Sequence, residues 1–325
     1  MASRHSTPTN KDLQYMNPAK RSFWVKLRTN WQLHLLVLPA ILYIIIFHYL
    51  PMGGLVMAFQ DFRIARGFFG SEWVGLKHFE KFFTSYQFKR VLGNTFKISI
   101  TSLLINFPLP ILFALILNIL PNQKLKSLIQ SITCIPHFIS TVVVVGMLFT
   151  LLNPVTGLYG AFYKLFGGEG YPAAISGTSD SFLWLYVLSD TWQHLGWSSI
   201  IYMAALSGVD QNLYEAAALD GASRWKQIWT IDLPTILPTI IIMLILNVGS
   251  LLGVGFEKVF LMQTDLNLSA SEVIATYVYK QGLRKTNNFS YGAAVGLFNS
   301  VVNCILLLVT NKISNKLTND EMGLF

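Results

Sequence analysis

Six long apolar runs alternate with polar connections along this chain, near residues 33–52, 94–120, 131–152, 183–207, 236–256 and 292–310. Each matches the ~20 residues of helix needed to cross about 30 Å of hydrocarbon. Inside lipid the backbone must satisfy its own hydrogen bonds, so runs of this length predict helices. The expected architecture is all-α: a polytopic membrane protein whose six transmembrane helices form one bundle over 32–312, flanked by tails at 1–31 and 313–325. The run at 33–52 ends in Leu50-Pro51-Met52-Gly53-Gly54 with no A-x-A-like site, and is read as a retained helix rather than a cleaved signal.

Composition agrees with this pattern. The 325 residues are 53% hydrophobic and 12% charged, about half the roughly 25% charge of soluble domains. Cys134 and Cys304 fall inside apolar runs, where thiols act as small hydrophobes, so neither a disulfide framework nor a metal site is expected. Between Phe59 and Phe88 lie eight phenylalanines, with Trp73 among them. Such density suits a folded cap on the ends of the helices at the aromatic belt.

Lys and Arg near helix ends set the orientation. Lys20, Arg21, Lys26 and Arg28 precede the first helix, and Lys124 and Lys126 occupy the tight connection after the second. Both groups place the N-terminus inside, although segment 53–93 carries six basic residues on the opposite side. Six crossings then put both termini and the connection 208–235 in the cytoplasm.

That connection is polar and sharply bent between two apolar runs. Leu213 to Leu219 is rich in helix formers, with Tyr214, Ala217 and Ala218 along one face and Glu215 exposed. Asp220-Gly221 breaks the helix, because glycine readily takes the left-handed conformation that closes one. Ser223 caps a second short helix, Arg224 to Trp229, and Leu233-Pro234 ends the segment. Pro234 and Pro238 fit near the start of the next membrane helix. The polar edge holds Glu215, Asp220, Arg224 and Lys226, the apolar edge Leu213, Leu219, Trp225 and Ile228. The shape suits a groove in a partner.

These residues resemble a known pattern. The permeases of binding-protein-dependent ABC importers carry Glu-Ala-Ala, three residues, Gly, nine residues, Ile, one residue, Leu-Pro in the cytoplasmic loop before the penultimate helix. Glu215, Ala216, Ala217, Gly221, Ile231, Leu233 and Pro234 fill every position. The resemblance implies a type I ABC importer permease fold in a bacterial cytoplasmic (inner) membrane. It further implies that 213–229 docks into an ATPase subunit, with Tyr214, Asp220 and Arg224 belonging to the same surface. The stretches Leu38-Pro39-Ala40, Met57-Ala58-Phe59, Trp73-Val74-Gly75-Leu76, Pro136-His137-Phe138-Ile139-Ser140, Thr276-Tyr277-Val278-Tyr279 and Ala294-Val295-Gly296-Leu297-Phe298 are similar to the branch handling oligosaccharides and polysaccharide fragments, which includes alginate importers. The partners so implied are a second homologous permease, two ATPase subunits, an extracytoplasmic solute-binding protein and membrane lipid, with no nucleic acid.

Nothing in the chain matches G-x-x-x-x-G-K-[ST], and Gly253-Val254-Gly255 leads into Phe256-Glu257-Lys258, which suits no phosphate loop. The chain is expected to be no enzyme and to hold no cofactor or metal; ATP and Mg belong to the partner ATPase. On the fourth helix Asp190 and His194 stand four apart and share a face. They serve either a proton relay, which would make the protein a secondary carrier, or a polar cavity wall or structural pair. With a helix ending near Leu206, Asp190 is expected about one turn from the outer edge. Trp192, Gln193, His194 and Trp197 offer the aromatic faces and amides that hold sugars, or form an interfacial girdle. Asn247, Asn299 and Asn303 are amides in hydrocarbon that need a partner, either cargo or a neighbouring helix. Segment 53–93 nets three positive charges, its six basic residues standing against Asp61, Glu72 and Glu80, which favours an acidic saccharide, an acidic docking partner or lipid headgroups.

Overall fold

A computed structural model describes residues 31–285 and 288–317 of the chain. The expected N-terminal tail, 1–31, lies outside the described residues apart from Trp31, as does the part of the C-terminal tail beyond 317. The chain divides into two compact units, Met1–Val56 and Met57–Phe325.

In the first unit, α1 (Trp31–Ile44) contains Pro39 and continues through a π turn at Ile45–Tyr49 and a further turn at Leu50–Met52. None of the residues from Trp31 to Met52 is buried within the chain. A helix apolar on every side needs lipid or another helix around it.

The second unit opens with the phenylalanine-rich segment, folded as the cap expected. Strands β1 (Gln60–Asp61) and β2 (Glu72–Trp73) pair antiparallel, Gln60 opposite Trp73. These four residues are a small exception to the all-α pattern. Phe59 stacks on Trp73 at 5.7 Å. Helix α2 (Lys77–Phe83) then buries Phe82 among Phe88, Tyr277, Tyr291 and Phe298.

The second span is built from α3 (Phe88–Asn106) and α4 (Pro108–Ile119), jointed at Phe107. Pro108 opens α4, where its missing N–H costs nothing. The run at 131–152, expected as one straight helix, is broken. Helix α5 (Gln123–Cys134) starts at an Asn122 cap, a 3-10 turn covers Ile135–Phe138, and α6 (Thr141–Leu151) leaves at 97° to the preceding helix. Pro136 removes a donor at the break, and Ser140 restarts the helix by accepting from the Val143 N–H at 3.4 Å.

Helix α7 (Leu158–Leu165) follows, then α8 (Ser179–Ser207), which begins four residues before the expected 183. Among the described residues four helical segments are long and apolar enough to cross a membrane, and the bent pair makes a fifth. At 29 residues α8 has the length but not the apolarity. It packs against α3, α4 and α5, so its polar side chains face protein rather than lipid.

The connection after α8 holds α9 (Gln211–Leu219), capped by Asp210 accepting from Asn212 N–H at 3.0 Å. Gly221 has φ +73°, the left-handed turn expected there. Ser223 caps α10 (Arg224–Gln227) as anticipated. The second short helix does not end near Trp229, however. It runs through a π turn, Ile228–Asp232, straight into α11 (Leu233–Gly249). Pro234 stands in the first turn of α11, and Pro238 lies inside the helix.

Helix α11 stops at Gly249, short of the expected 256. The unwound stretch is held from across the bundle: Leu252 N–H donates to Asn303 Oδ1 at 2.9 Å. A Cβ on Gly249 would meet Leu307 at 2.6 Å, so close approach to the last helix depends on that glycine. Helices α12 (Phe256–Met262), α13 (Ile274–Val278) and α14 (Phe289–Leu317) complete the unit.

Candidate functional site

Where α11 unwinds, α3 and α8 enclose a cavity of about 350 Å³ with residues 247–255. Its wall includes Ser99, Ser102, Asn106, Asp190, His194, Ser198, Asn247 and Ser250 beside Ile98, Leu103 and Val254. A second cavity of about 300 Å³ shares Asn106, Phe107, Ser198 and Asn247 and adds Pro110, Trp197, Ile201, Tyr202 and Met243. Polar groups set among apolar walls at this size fit an organic ligand.

Asp190 lies eleven residues from the start of α8, roughly 16 Å along the axis. A carboxylate packed among helices needs partners, and it has them. Lys258 Nζ donates to Asp190 Oδ1 at 3.1 Å, and Asn106 Nδ2 to Oδ2 at 3.0 Å. His194 donates from Nδ1 to the Asp190 main-chain oxygen at 3.1 Å, with the carboxylate 3.6 Å away. Thr191 donates to the Asn106 oxygen, fixing which way that amide points.

Lys258 is the residue the sequence reading missed. It comes from α12, is 5% exposed, and lies 5.1 Å from the Tyr186 ring centre. The available signal is a charged pair, Glu257-Lys258, inside an otherwise apolar stretch from Phe256 to Met262, where a buried cation needs an anionic partner. Asp190 thus carries a fixed cation on one side and shows the cavity its other edge.

The remaining candidates separate. Trp197 lines the second cavity and stacks on His137 at 4.4 Å and 4°. Phe138 meets the same indole edge-on at 5.8 Å. Both partners come from the break between α5 and α6. Gln193 lines neither cavity; it is buried and donates to the Ile139 carbonyl at 2.9 Å, an oxygen the same break leaves outside a helix. Trp192 is exposed and lines neither cavity. Asn247 lines both, with its amide donating to Met243 O at 2.7 Å. Asn303 is committed to the unwound backbone of α11. Asn299 lines neither cavity, and its buried Oδ1 accepts nothing from the described residues.

The motif residues form a second site at the loop end. Glu215 and Ala216 are exposed on α9, Ala217 is half-buried, and Asp220 closes the helix ahead of Gly221. Arg224 donates to Gln227 Oε1 at 3.2 Å. Ile231 and Leu233 are half-buried, and Pro234 is exposed. Leu219 is 90% exposed, and Leu213, Trp225 and Trp229 are also open. Exposed apolar surface of this extent on a short polar connection is of the kind that interaction sites present. Tyr214 turns inward and donates its hydroxyl to Asp232. Burial, with the Asp232 carboxylate accepting that proton, pushes the phenol up to about 12.

The model for the inner membrane component of binding-protein-dependent transport systems matches residues 87–319. The polygalacturonan/rhamnogalacturonan transport system permease protein YteP of Bacillus subtilis is 42% identical over 297 residues, 91% of this chain and 92% of that protein. Protein LplB of the same organism is 40% identical over 322 residues, covering 98% and 99%. The crystal structure of a bacterial ABC transporter involved in the import of the acidic polysaccharide alginate has a chain that superposes with a TM-score of 0.82 at 36% identity, covering 91% of this chain and 99% of that one. In a second structure, a bacterial alginate ABC transporter in complex with an alginate pentasaccharide-bound periplasmic protein, the TM-score is 0.84 at 35% identity over 94% and 100%. The match begins one residue before α3 and takes in both the cavity and the motif loop, so this chain belongs to the family of inner membrane components of binding-protein-dependent transport systems.

Proposed function

We propose that this chain is one of two permease subunits of an ATP-driven importer for oligosaccharides or polysaccharide fragments, acidic ones such as alginate included. The observation that carries the reading is the loop. The seven motif positions run from α9 through the Gly221 turn to the π turn and the start of α11, with Leu219 and Trp225 exposed between them, in a chain without a phosphate loop of its own. Energy therefore enters mechanically, from two partner ATPases that hold ATP and Mg and receive 213–229. A relative named for polygalacturonan and rhamnogalacturonan and a neighbour named for alginate support the saccharide class.

In this reading both termini and 208–235 face the cytoplasm. An extracytoplasmic binding protein delivers cargo to segments 53–93, 153–182 and 257–291, and the pathway forms against the second permease. Asp190, held in place by Lys258, accepts sugar hydroxyls; Asn106 and Asn247 supply amides, and Trp197 covers a C–H face of the ring. ATP-driven closure of the ATPases moves the loop as a lever and switches the cavity between its two openings. A ligand shifts that equilibrium only by its differential affinity for the two states.

Purification in mild detergent is expected to bring down an ATPase and a second permease. Glu215→Lys and Gly221→Pro are expected to abolish assembly or sugar-stimulated ATP hydrolysis while the chain still inserts. Wild-type coupling in both variants overturns the proposal. Uptake that collapses with a protonophore while ATP stays high, with no ATPase co-purifying, would instead assign the Asp190–His194 pair to a proton-coupled carrier.

A further inference from the structure

Asp232 occupies the one position inside the Ile-x-Leu-Pro part of the motif that the family pattern leaves open. It is 2% exposed, at the end of the π turn that joins α10 to α11. Burying a carboxylate is costly unless donors answer it. Two neutral donors do: the Tyr214 hydroxyl from α9, and Asn118 Nδ2 from the end of α4 at 3.4 Å. The same Asn118 amide reaches the Tyr214 oxygen at 3.3 Å, closing a three-membered ring of hydrogen bonds. Lys126 Nζ, on α5, donates to Asn118 Oδ1 at 3.3 Å. Among the described residues no cation lies within ion-pair distance of Asp232.

The network ties four separate elements together at one point. Helix α9 is joined covalently to α8 and, through Gly221, to α10, but nothing covalent joins it to α4 or α5. The Tyr214–Asp232–Asn118 ring supplies that lateral connection. Two of the elements it grips lead into the cavity: α11 carries Asn247, and the α3–α4 span carries Asn106. The third, α5, leads to the break that presents His137 to Trp197. A π turn at the grip point is consistent with a functional rather than a purely structural joint, since such turns strain the helix and cluster at working sites.

We propose that Asp232, together with Tyr214 and Asn118, is the clamp that converts displacement of α9 into movement of α11 and the α3–α4 span, and so of the cavity walls. This rests on the importer reading above. Asp232 and Asn118 are positioning residues; they touch neither cargo nor nucleotide. Without the clamp, a partner pulling on α9 swings it about its ends, and α11 and α4 stay where they are.

The test uses the whole complex, this chain with its second permease and ATPases, in proteoliposomes supplied with binding protein and an oligogalacturonate. The readout is sugar imported per ATP hydrolysed, with co-purification of the ATPase as the check that the complex assembles. Tyr214→Phe removes one oxygen and is expected to lower that ratio by at least about fivefold, the low end of typical coupling effects. Asp232→Leu should do the same, and the double variant should be no worse than either, because both remove one interaction. Asp232→Asn keeps an acceptor for both donors and should hold near the wild-type ratio. A wild-type ratio in Tyr214→Phe, or equal losses in Asp232→Asn and Asp232→Leu, overturns the clamp. Should Asp232→Leu fail to assemble, Tyr214→Phe decides alone. Failure of the importer reading looks different: the wild-type complex then shows no ATPase partner and no sugar-stimulated hydrolysis.

Discussion

Asp190 within α8 and Asp232 at the π turn leading into α11 are each answered by different chemistry. Asp190 has a direct cation, Lys258 at 3.1 Å, plus one amide, and its side chain keeps 28% of its surface open. Asp232 is closed off at 2% and is satisfied by a hydroxyl and an amide, with Lys126 a link further away. A carboxylate beside a cavity must stay fixed while presenting an edge, and a cation behind it does both. One that joins helices needs short directional bonds to each, and neutral donors supply them without desolvating a second charge. The difference teaches that burial and charge pairing are separate devices: one aspartate stays open beside a cavity, the other is sealed where helices meet.

The largest expected effect comes from removing the cation. Lys258→Met leaves Asp190 as an uncompensated charge deep in the bundle, and breaking a fully buried pair costs about 3–5 kcal/mol. The open edge of Asp190 lets water screen part of this, so roughly half that loss is expected. Thermal unfolding in detergent should show a clear drop in Tm, together with loss of uptake. Adding Asp190→Asn removes the orphaned charge and should restore the Tm without restoring uptake. Recovery of both would mean the pair is only structural, and the contrast with Asp232 would collapse.

What the sequence reveals of these two regions differs for a physical reason. Hydropathy marks the spans because a helix in lipid must be apolar along its whole length. The motif loop is legible because turn chemistry is local: Gly221, Ser223 and Asp220 act within a few residues of one another. Asp190 and His194 are found through the helical repeat alone. The partners that give each aspartate its role come from far along the chain, Lys258 68 positions after Asp190 and Asn118 114 before Asp232. No local pattern encodes such pairings. The break at Pro136–Ser140 hides in an apolar run because hydropathy carries no information on direction. Gln193 looked like a sugar ligand for want of knowing that the same break frees the Ile139 carbonyl.

A smaller effect sharpens the cavity side. Trp197 lines the second cavity with its ring braced by His137, whereas Trp192, five residues earlier on the same helix, is exposed and lines neither cavity. On the importer reading proposed above, Trp197→Ala should weaken binding of the transported saccharide to the purified complex by roughly two- to tenfold, the scale of one aromatic contact. Trp192→Ala should leave it unchanged in the same calorimetric titration. Equal losses in both would place the cargo on the outer face of α8 rather than in the cavity, separating it from Asp190.

The smallest effect concerns a buried titratable group that has neither kind of answer. His78 on α2 is 5% exposed and donates from Nε2 to the Gln60 carbonyl at 3.1 Å, and among the described residues no carboxylate pairs with it. Burial holds its pKa below the ordinary 6.5, the nearby Asp61 offsetting this only in part. The unfolded cap therefore binds the proton more readily than the folded one, so stability is full above about pH 6.5 and falls as the pH drops below it. Amide exchange across residues 57–83, corrected for the intrinsic rate, should be faster at pH 5.5 than at pH 7.5, and His78→Gln should flatten the difference. The cavity and the clamp, whose aspartates are met by donors, serve as the comparison regions in the same exchange experiment. Equal acceleration at all three places would mean that the bonds around Asp190 and Asp232 give way together with the cap, and that charge pairing does not distinguish them from a merely buried histidine.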